Sequence, residues 1–300
     1  MKYVYPKLSS KDLIVFRLDG AGLGNLLFTY GRALAFAKRN DIPMICPTWP
    51  SVKIGPWLRQ EKDKRTYIGL FANRTQDIAG LRKVWLLLTH KKVSEGTAVV
   101  KDEEIVIFEK FIGSFAPIRD DHQLIREHLL KNMRDDAVLH FDFSDAVAIH
   151  VRLGDFKKVQ VQELKNGIHD SRLPIEWYCS MLEQTRMAAG RNVKAYVFSD
   201  GSDEELQQLL RMPNTERITF GNALNDIVGL SQAPLLIASG YSFSMWARYL
   251  GRHSTICYPN QIKERIFNEY DDNAFEIETE DVIPDMYREK IEKMFRDGEK

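Results

Sequence analysis

The chain reads as an α/β protein, and three observations carry that reading. From residue 146 onward, short apolar runs alternate with amphipathic stretches of helical period. Near the N-terminus an apolar run meets a glycine-rich turn and then a long helical pattern, from about residue 12 to 39. Several apolar runs end in clustered polar side chains, which is where open parallel sheets hold their ligands.

Composition sets the frame. The 300 residues suffice for one large domain or two ordinary ones, and 44% hydrophobic with 28% charged residues is the balance of a globular chain. Lys plus Arg and Asp plus Glu are equal at 42 each, so no overall field recruits nucleic acid and any anion site must be local. Cys46, Cys179 and Cys257 are far apart, without metal-ligand spacing, which fits buried thiols in a reducing compartment. The opening residues lack the apolar core of a signal peptide, and no run approaches the roughly 18 apolar residues of a membrane span. A cytoplasmic protein without a transmembrane segment is expected.

Taken in order, residues 12–18 form an apolar run of strand length. Asp19-Gly20-Ala21-Gly22-Leu23-Gly24-Asn25 follows, then a helical pattern over 26–39. Strand, glycine turn and helix make a phosphate-cradle layout, because glycines let backbone amides approach an anion at a helix start. Two familiar cradles do not fit. A P-loop needs Gly-Lys-Ser/Thr, and a dinucleotide fingerprint needs glycine where Asn25 stands. Residues 43–47 read as a second short strand and 49–69 as a long loop. An amphipathic helix is expected over 75–92, with Ile78, Leu81, Val84, Trp85 and Leu88 on one side. Residues 105–108 read as a strand and 120–133 as a helix. His122, His128 and His140 show no spacing that suggests a metal.

A polar segment over 133–144 marks the boundary, giving domains 1–138 and 139–300. The second is expected to be doubly wound. Its strands fall at 146–151, 194–198, 234–238 and 255–258, and its helices at 175–189, 222–231, 242–250 and 284–295. Pro174 starts the first helix, and Ser202 with Glu205 forms a capping box.

Three strand ends carry suitable chemistry for one crevice. His150-Val-Arg152-Leu-Gly-Asp155 offers a guanidinium fork suited to phosphate, with two further polar groups. Ser199-Asp200 ends the next strand. Ser239-Gly-Tyr-Ser242-Phe243-Ser244 lies between a strand and a helix, so its amides and hydroxyls sit at a positive helix end. Together they make a pyrophosphate site without metal, although Ser242 could instead simply cap its helix. Asp226 could accept from paired donors such as guanine N1 and N2, yet an acidic residue in a first helical turn is favoured anyway. The chain has no Asp-x-Asp metal-diphosphate clamp, which also favours Arg and amides.

Four segments, in order, resemble the α-1,2-fucosyltransferase family, that is, family 11 glycosyltransferases. GLGNLLFTYGRALA from Gly22 is similar to its GLGNQxFQYAxGRALA, and HVRLGDF from His150 to its HxRRGDY. VFSD ending at Asp200 resembles its VFSDD, and LLIASGYSFSMWARYL from Leu235 its NIIANSSFSWWGAWL. The resemblance spans roughly residues 12–260. It implies a GT-B-like architecture, two Rossmann-type domains facing across a cleft. It also implies an inverting transfer of fucose from GDP-fucose to a galactose hydroxyl of a glycan, with no required metal or other cofactor. The implied partners are a GDP-sugar donor and an oligosaccharide or glycolipid acceptor, with room for peripheral contact with a membrane-borne acceptor.

By carry-over, Arg152 would contact the β-phosphate, His150 would lie beside the nucleotide-sugar and Asp155 would brace the loop. Ser242, Phe243 and Ser244 would hold the phosphates, and Gly22, Gly24 and Asn25 would face the donor sugar and acceptor. The stretch from Asp226 to Pro234 also looks like the guanine-reading segment of the related α-1,6- and O-fucosyltransferases. Asp19 and Asp155 are the candidate bases for the acceptor hydroxyl, with the phosphate itself as a third. The family's second arginine is Leu153 here, its glutamine is Leu26, and Gly201 stands where it has a second acid. Those departures keep two alternatives open, transfer of another GDP-sugar and a binding relative without catalysis. Acceptor specificity is expected in the N-terminal half, in the 49–69 loop above all.

Overall fold

A computed structural model describes residues 1–58, 64–97, 101–154, 156–165, 168, 171–262, 264–267 and 273–296. Two compact units divide the chain, Met1–Asp136 and Ala137–Lys300. Both are α/β with parallel sheets. No helix among the described residues is long and apolar enough to cross a membrane.

The N-terminal unit runs β1 (Tyr3–Pro6), α1 (Leu23–Arg39), α2 (Ile54–Leu58), α3 (Gly80–Thr89), β2 (Lys91–Ser94), β3 (Glu104–Phe108) and α4 (His122–Asn132). Its sheet has the order β1-β3-β2, all parallel. Isolated parallel bridges, Val4 to Met44 and Ile45 to Ile78, extend it beyond β1. β3, Glu-Ile-Val-Ile-Phe, is buried throughout because helices and loops cover both faces.

Two expectations fail in this unit. Residues 12–18 are not a buried strand; β1 lies earlier, and the run folds into a turn. The Asp12 carboxylate accepts from the Ile14 amide at 2.8 Å, Ile14 is left-handed at φ 70°, and Asp12 bridges Arg17 antiparallel. Arg17 is the cause. Its guanidinium is fully buried and donates to the carbonyls of Thr48 (2.9 Å), Asp19 (2.9 Å) and Trp49 (3.2 Å), so Leu13, Val15, Phe16 and Leu18 are left facing solvent. The 43–47 strand likewise reduces to the bridges at Met44 and Ile45.

The 75–92 helix is shorter than its period suggests and turned the other way. It starts at Gly80, and its expected last turn is instead the start of β2. Lys83, Leu86 and Leu87 are buried, whereas Leu81, Trp85 and Leu88 are exposed. Lys83 can be buried because its ammonium donates to Thr48 Oγ1 at 2.9 Å and lies 5.4 Å from the centroid of the Tyr5 ring. The 120–133 helix is α4, entered through a 3-10 turn at Ala116–Asp121. Within it His128 is a core histidine bonded to the Tyr30 hydroxyl.

The C-terminal unit runs β4 (Ala146–Val151), α5 (Val161–Lys165), α6 (Ile175–Ala189), β5 (Lys194–Ser199), α7 (Gln207–Leu210), β6 (Thr215–Arg217), α8 (Ala223–Leu230), β7 (Leu235–Ala238), α9 (Ser242–Gly251), β8 (Ser254–Cys257), β9 (Ala274–Glu276) and α10 (Asp285–Arg296). Its sheet has the order β6-β5-β4-β7-β8-β9 and is parallel throughout. The chain winds outward from β4 through β5 to β6, then crosses to β7 on the other side. The topological switch point is therefore the crevice between β4 and β7.

Behind the sheet, Trp177, Tyr178, Met181 and Leu182 of α6 fill the core against Val147, Ile149, Ala195 and Val197. Ile291 and Phe295 of α10 close it, and Trp177 Nε1 donates to the Ile277 carbonyl at 2.9 Å. The strands β2, β6 and β9 and the helices α2 and α5 have no counterpart in the sequence reading.

Candidate functional site

The switch point carries the chemistry. β4 ends in His150 and Val151 with Arg152 the next residue, and β7 is followed by Ser239 and the start of α9. His150 Nδ1 and Ser239 Oγ share a hydrogen bond of 2.7 Å across that crevice. The imidazole stacks on Phe243 of α9, with ring centroids 4.9 Å apart and planes 16° from parallel. Ser239 Oγ lies 3.3 Å from Ser244 Oγ, which donates to the Tyr241 carbonyl at 3.1 Å. Strand end and helix start are thus one polar junction. His150 is 5% exposed, and burial, with the Arg152 cation adding to it, pushes its pKa down to about 3. A neutral imidazole, with one ring nitrogen donating and the other accepting, is the form this environment keeps.

Arg152 is aimed by its neighbours. Its guanidinium pairs with Asp200 at the end of β5 and lies 4.7 Å from the Phe156 ring centroid. Asp200 also accepts from the Leu153 amide at 2.8 Å, so one carboxylate fixes both the cation and the backbone that carries it. Gly154 makes this approach feasible. At φ +22° it turns the chain over the pair, and a Cβ there would stand 2.2 Å from Asp200 Oδ2.

Arg172 holds the same loop from the far side. It donates to the carbonyls of Phe156 (2.7 Å) and Gly154 (2.9 Å) and to the Glu205 carboxylate (2.6 Å). Glu205 closes the expected capping box, accepting from the Ser202 amide at 3.0 Å while its own amide donates to Ser202 Oγ at 3.3 Å. Phe156 in turn meets the Tyr241 ring edge-on, with centroids 4.5 Å apart. Asp155 lies outside the described residues.

Ser242 does not cap α9. Tyr241 takes the N-cap position, and no side chain caps the helix. The first-turn amides of Ser242, Phe243 and Ser244 therefore form an anion-ready helix end beside the junction. Asp226, in the first turn of α8, turns its carboxylate back on the preceding loop. It accepts from the Phe220 amide (2.6 Å) and the Thr219 hydroxyl (3.1 Å), and Asn222 caps the helix.

Asp19, Gly22, Gly24 and Asn25 lie in the N-terminal unit. Gly22 is the N-cap of α1, whose start likewise has no side-chain cap, and Asn25 is exposed. Asp19 accepts from the Ser9 and Ser10 hydroxyls. Beneath the turn, Arg17 holds the Asp19 carbonyl, and from the side Lys53 donates to the Ala21 carbonyl at 2.7 Å. At φ +119°, Gly20 occupies a place where a Cβ would lie 2.4 Å from Arg17 Nη1.

Sequence reasoning missed the roles of Asp200, Arg172 and Arg17. Asp200 stands at a strand end beside Arg152, and that position is the signal that could have paired them. Arg172 and Arg17 carry no such mark, since each works by holding carbonyls that any sequence supplies.

The departure at Leu153 takes on a structural meaning. Its side chain is 3% exposed and belongs to the main core of this unit. A Cβ on Gly201 would lie 2.3 Å from Leu153 Cδ1. Two of the positions at which this chain leaves the resembled motifs are thus packed on each other, leucine filling the space that glycine leaves.

Comparisons with known proteins bear on the fold and the family. The fold resembles that of the NodZ α-1,6-fucosyltransferase co-crystallized with GDP (TM-score 0.54, 13% identity, 86% of this chain and 95% of that one). It also resembles fucosyltransferase NodZ from Bradyrhizobium (TM-score 0.52, 14% identity, 82% and 91%). At that identity the likeness speaks for the fold. No curated protein sequence matches the chain. A family profile described as "Glycosyl transferase family 11" matches residues 107–281, from β3 through every strand of the C-terminal sheet, and the chain belongs to that family.

Proposed function

We propose that this chain is an inverting α-1,2-fucosyltransferase that moves fucose from GDP-fucose to a galactose hydroxyl of a glycan. The observation that carries the reading is the junction at the β4/β7 switch point. There the Asp200-held guanidinium of Arg152 ends one strand, and the uncapped start of α9 follows the other, with His150 bonded to Ser239 and stacked on Phe243 between them. A fucosyl donor leaves with negative charge growing on its diphosphate. A fixed cation and helix-start amides suit that charge, and each such preorganised donor is worth on the order of 10²–10³ in rate.

In this reading Arg152 and the amides of Ser242, Phe243 and Ser244 bind the diphosphate, and neutral His150 donates to the nucleotide-sugar. Asp155 braces the Arg152 loop. Asp226 reads the guanine edge with the carboxylate that now holds the 219–220 loop. Gly22, Gly24 and Asn25 face the reacting sugar from the N-terminal unit. Asp19, already oriented by two hydroxyls, or Asp155 takes the acceptor proton. Because protein cations and amides carry the diphosphate charge, turnover is expected to continue in EDTA. The buried Leu153 is a packed core position rather than a gap in the clamp, so the missing arginine does not by itself argue for a different donor.

The test is GDP release from a panel of GDP-sugars, followed by an acceptor array. GDP-fucose turnover on a galactoside is expected. Turnover of GDP-mannose without GDP-fucose would overturn the donor, and GDP binding with no turnover of any donor would make the chain a binding relative.

A further inference from the structure

We infer that the N-terminal unit holds a separate binding pocket for the neutral, hydroxyl-rich ring of a glycoside, at the carboxyl ends of β1 and β3. The identification of that glycoside as the acceptor sugar rests on the transferase reading above; the pocket itself does not.

Topology points to the place. From β1 the chain moves through α1 to the Met44–Ile45 bridge on one side, and only later returns as β3 on the other. The crevice between β1 and β3 is therefore this sheet's switch point, as β4/β7 is in the C-terminal unit, and such crevices are where open α/β sheets take ligands. The structure has a cavity of about 260 Å³ there.

Its lining follows from the register. Tyr5 of β1 pairs with Ile107 of β3, which pairs with Ser94 of β2, so these three form one row across the sheet. Two residues further along the same face, just past the strand ends, Lys7 and Glu109 face each other with 3.3 Å between ammonium and carboxylate. Leu87 of α3 supplies the apolar side, and Asp12 enters from the 12–18 turn.

The chemistry selects a class of ligand. Two ammonium groups, Lys7 and Lys92, face two carboxylates, Asp12 and Glu109, so the formal charge of the lining is zero and an anion gains no net attraction. Each group still has capacity. An ammonium has three protons and a carboxylate about four lone-pair sites, and the Lys7–Glu109 pair uses one of each. The Ser94 hydroxyl and the Lys92 ammonium make no hydrogen bond among the described residues. Closely spaced donors and acceptors around Leu87 and Ile107 suit a ring whose hydroxyls both donate and accept while its C–H face packs on aliphatic carbon. Tyr5 is fixed as the back wall, its hydroxyl donating to Asp12 at 2.5 Å and lying 2.8 Å from Thr48 Oγ1.

The experiment is saturation-transfer NMR on the full chain with methyl β-galactoside and methyl β-glucuronide. Wild type is compared with Ser94→Trp, which fills the pocket from an exposed edge strand, and Glu109→Gln, which keeps its shape. GDP affinity is measured on the same samples. The galactoside is expected to bind wild type and to weaken about tenfold or more in both variants, with GDP affinity unchanged. Galactoside binding that survives both substitutions, a preference for the glucuronide, or no glycoside binding at all would overturn the pocket. Galactoside binding of the expected pattern without any GDP binding would uphold the pocket and overturn the transferase reading instead.

Discussion

The Leu153 side chain occupies the space above Gly201, to the point that a Cβ at 201 would stand 2.3 Å from its Cδ1. Gly201 is not left-handed, so alanine there meets a packing obstacle and no backbone one. Gly201→Ala is expected to destabilise the chain by about 1–3 kcal/mol through overpacking, and Leu153→Ala by about 2–5 kcal/mol through a cavity. Chemical denaturation of both singles and the double variant checks the relationship. The double should cost clearly less than the sum, because the second change relieves the clash of the first.

Arg152→Ala is expected to weaken GDP binding by about ten- to a hundredfold, the scale of one charge-assisted hydrogen bond. Asp200→Asn should retain a hydrogen bond to the Leu153 amide while losing the ion pair that aims Arg152, giving a smaller loss in the same direction. Calorimetric titration with GDP reads both. Equal affinity in wild type and Arg152→Ala would remove Arg152 from the diphosphate.

His150 makes stability depend on pH. Its folded pKa of about 3 lies below the ordinary 6.5, so between those values the unfolded chain binds the extra proton. The stabilisation from keeping it neutral is complete above about pH 6.5 and is lost as pH falls toward 3. Buried His253, lowered to about 4, adds a slope of the same sign. Melting temperatures over this range should rise with pH, and His150→Gln should flatten the rise without removing it. An unchanged slope in that variant would contradict the burial argument.

Asp19→Asn separates binding from chemistry. If Asp19 takes the acceptor proton, kcat should fall by about 10²-fold or more while GDP affinity holds. A kcat within a fewfold of wild type would leave the role to Asp155 or the phosphate.

The glycine turn before α1 should be rigid rather than mobile. Gly20→Ala combines a left-handed φ with a clash against Arg17 and is expected to cost about 1–3 kcal/mol. Arg17→Met would leave the carbonyls of Thr48, Asp19 and Trp49 without their donor, at about 1–3 kcal/mol for each one left buried and unpaired. Thermal melts, with limited proteolysis across residues 12–25, check both.

How far the chain could be read varies with the physics of each segment. β4 and α6 were legible to the residue, because a doubly covered parallel strand is a continuous apolar run and Pro174 and Gly190 bracket the helix. β1, β6 and β9 were not, since three or four residues carry no usable period. Around α3 the pattern misled, as a lysine with a hydroxyl and a ring to meet displaced three large apolar side chains to the surface. At the site, His150, Arg152 and Ser239 to Ser244 could be found locally as strand ends. That Asp200 grips Arg152 depends on β5 lying beside β4, a sheet order that no local window contains.

The closing of the C-terminal core by α10 also sets an order of events during synthesis. Trp177 finds its acceptor a hundred positions later at Ile277, and Phe295 seals the core after that. The N-terminal unit can finish its sheet once residue 136 has left the ribosome, whereas the other must wait for Phe295. Until then the β4 strand and its Arg152 loop stay attached to an open apolar face. A stalled or C-terminally clipped product would be the form that chaperones and proteases meet.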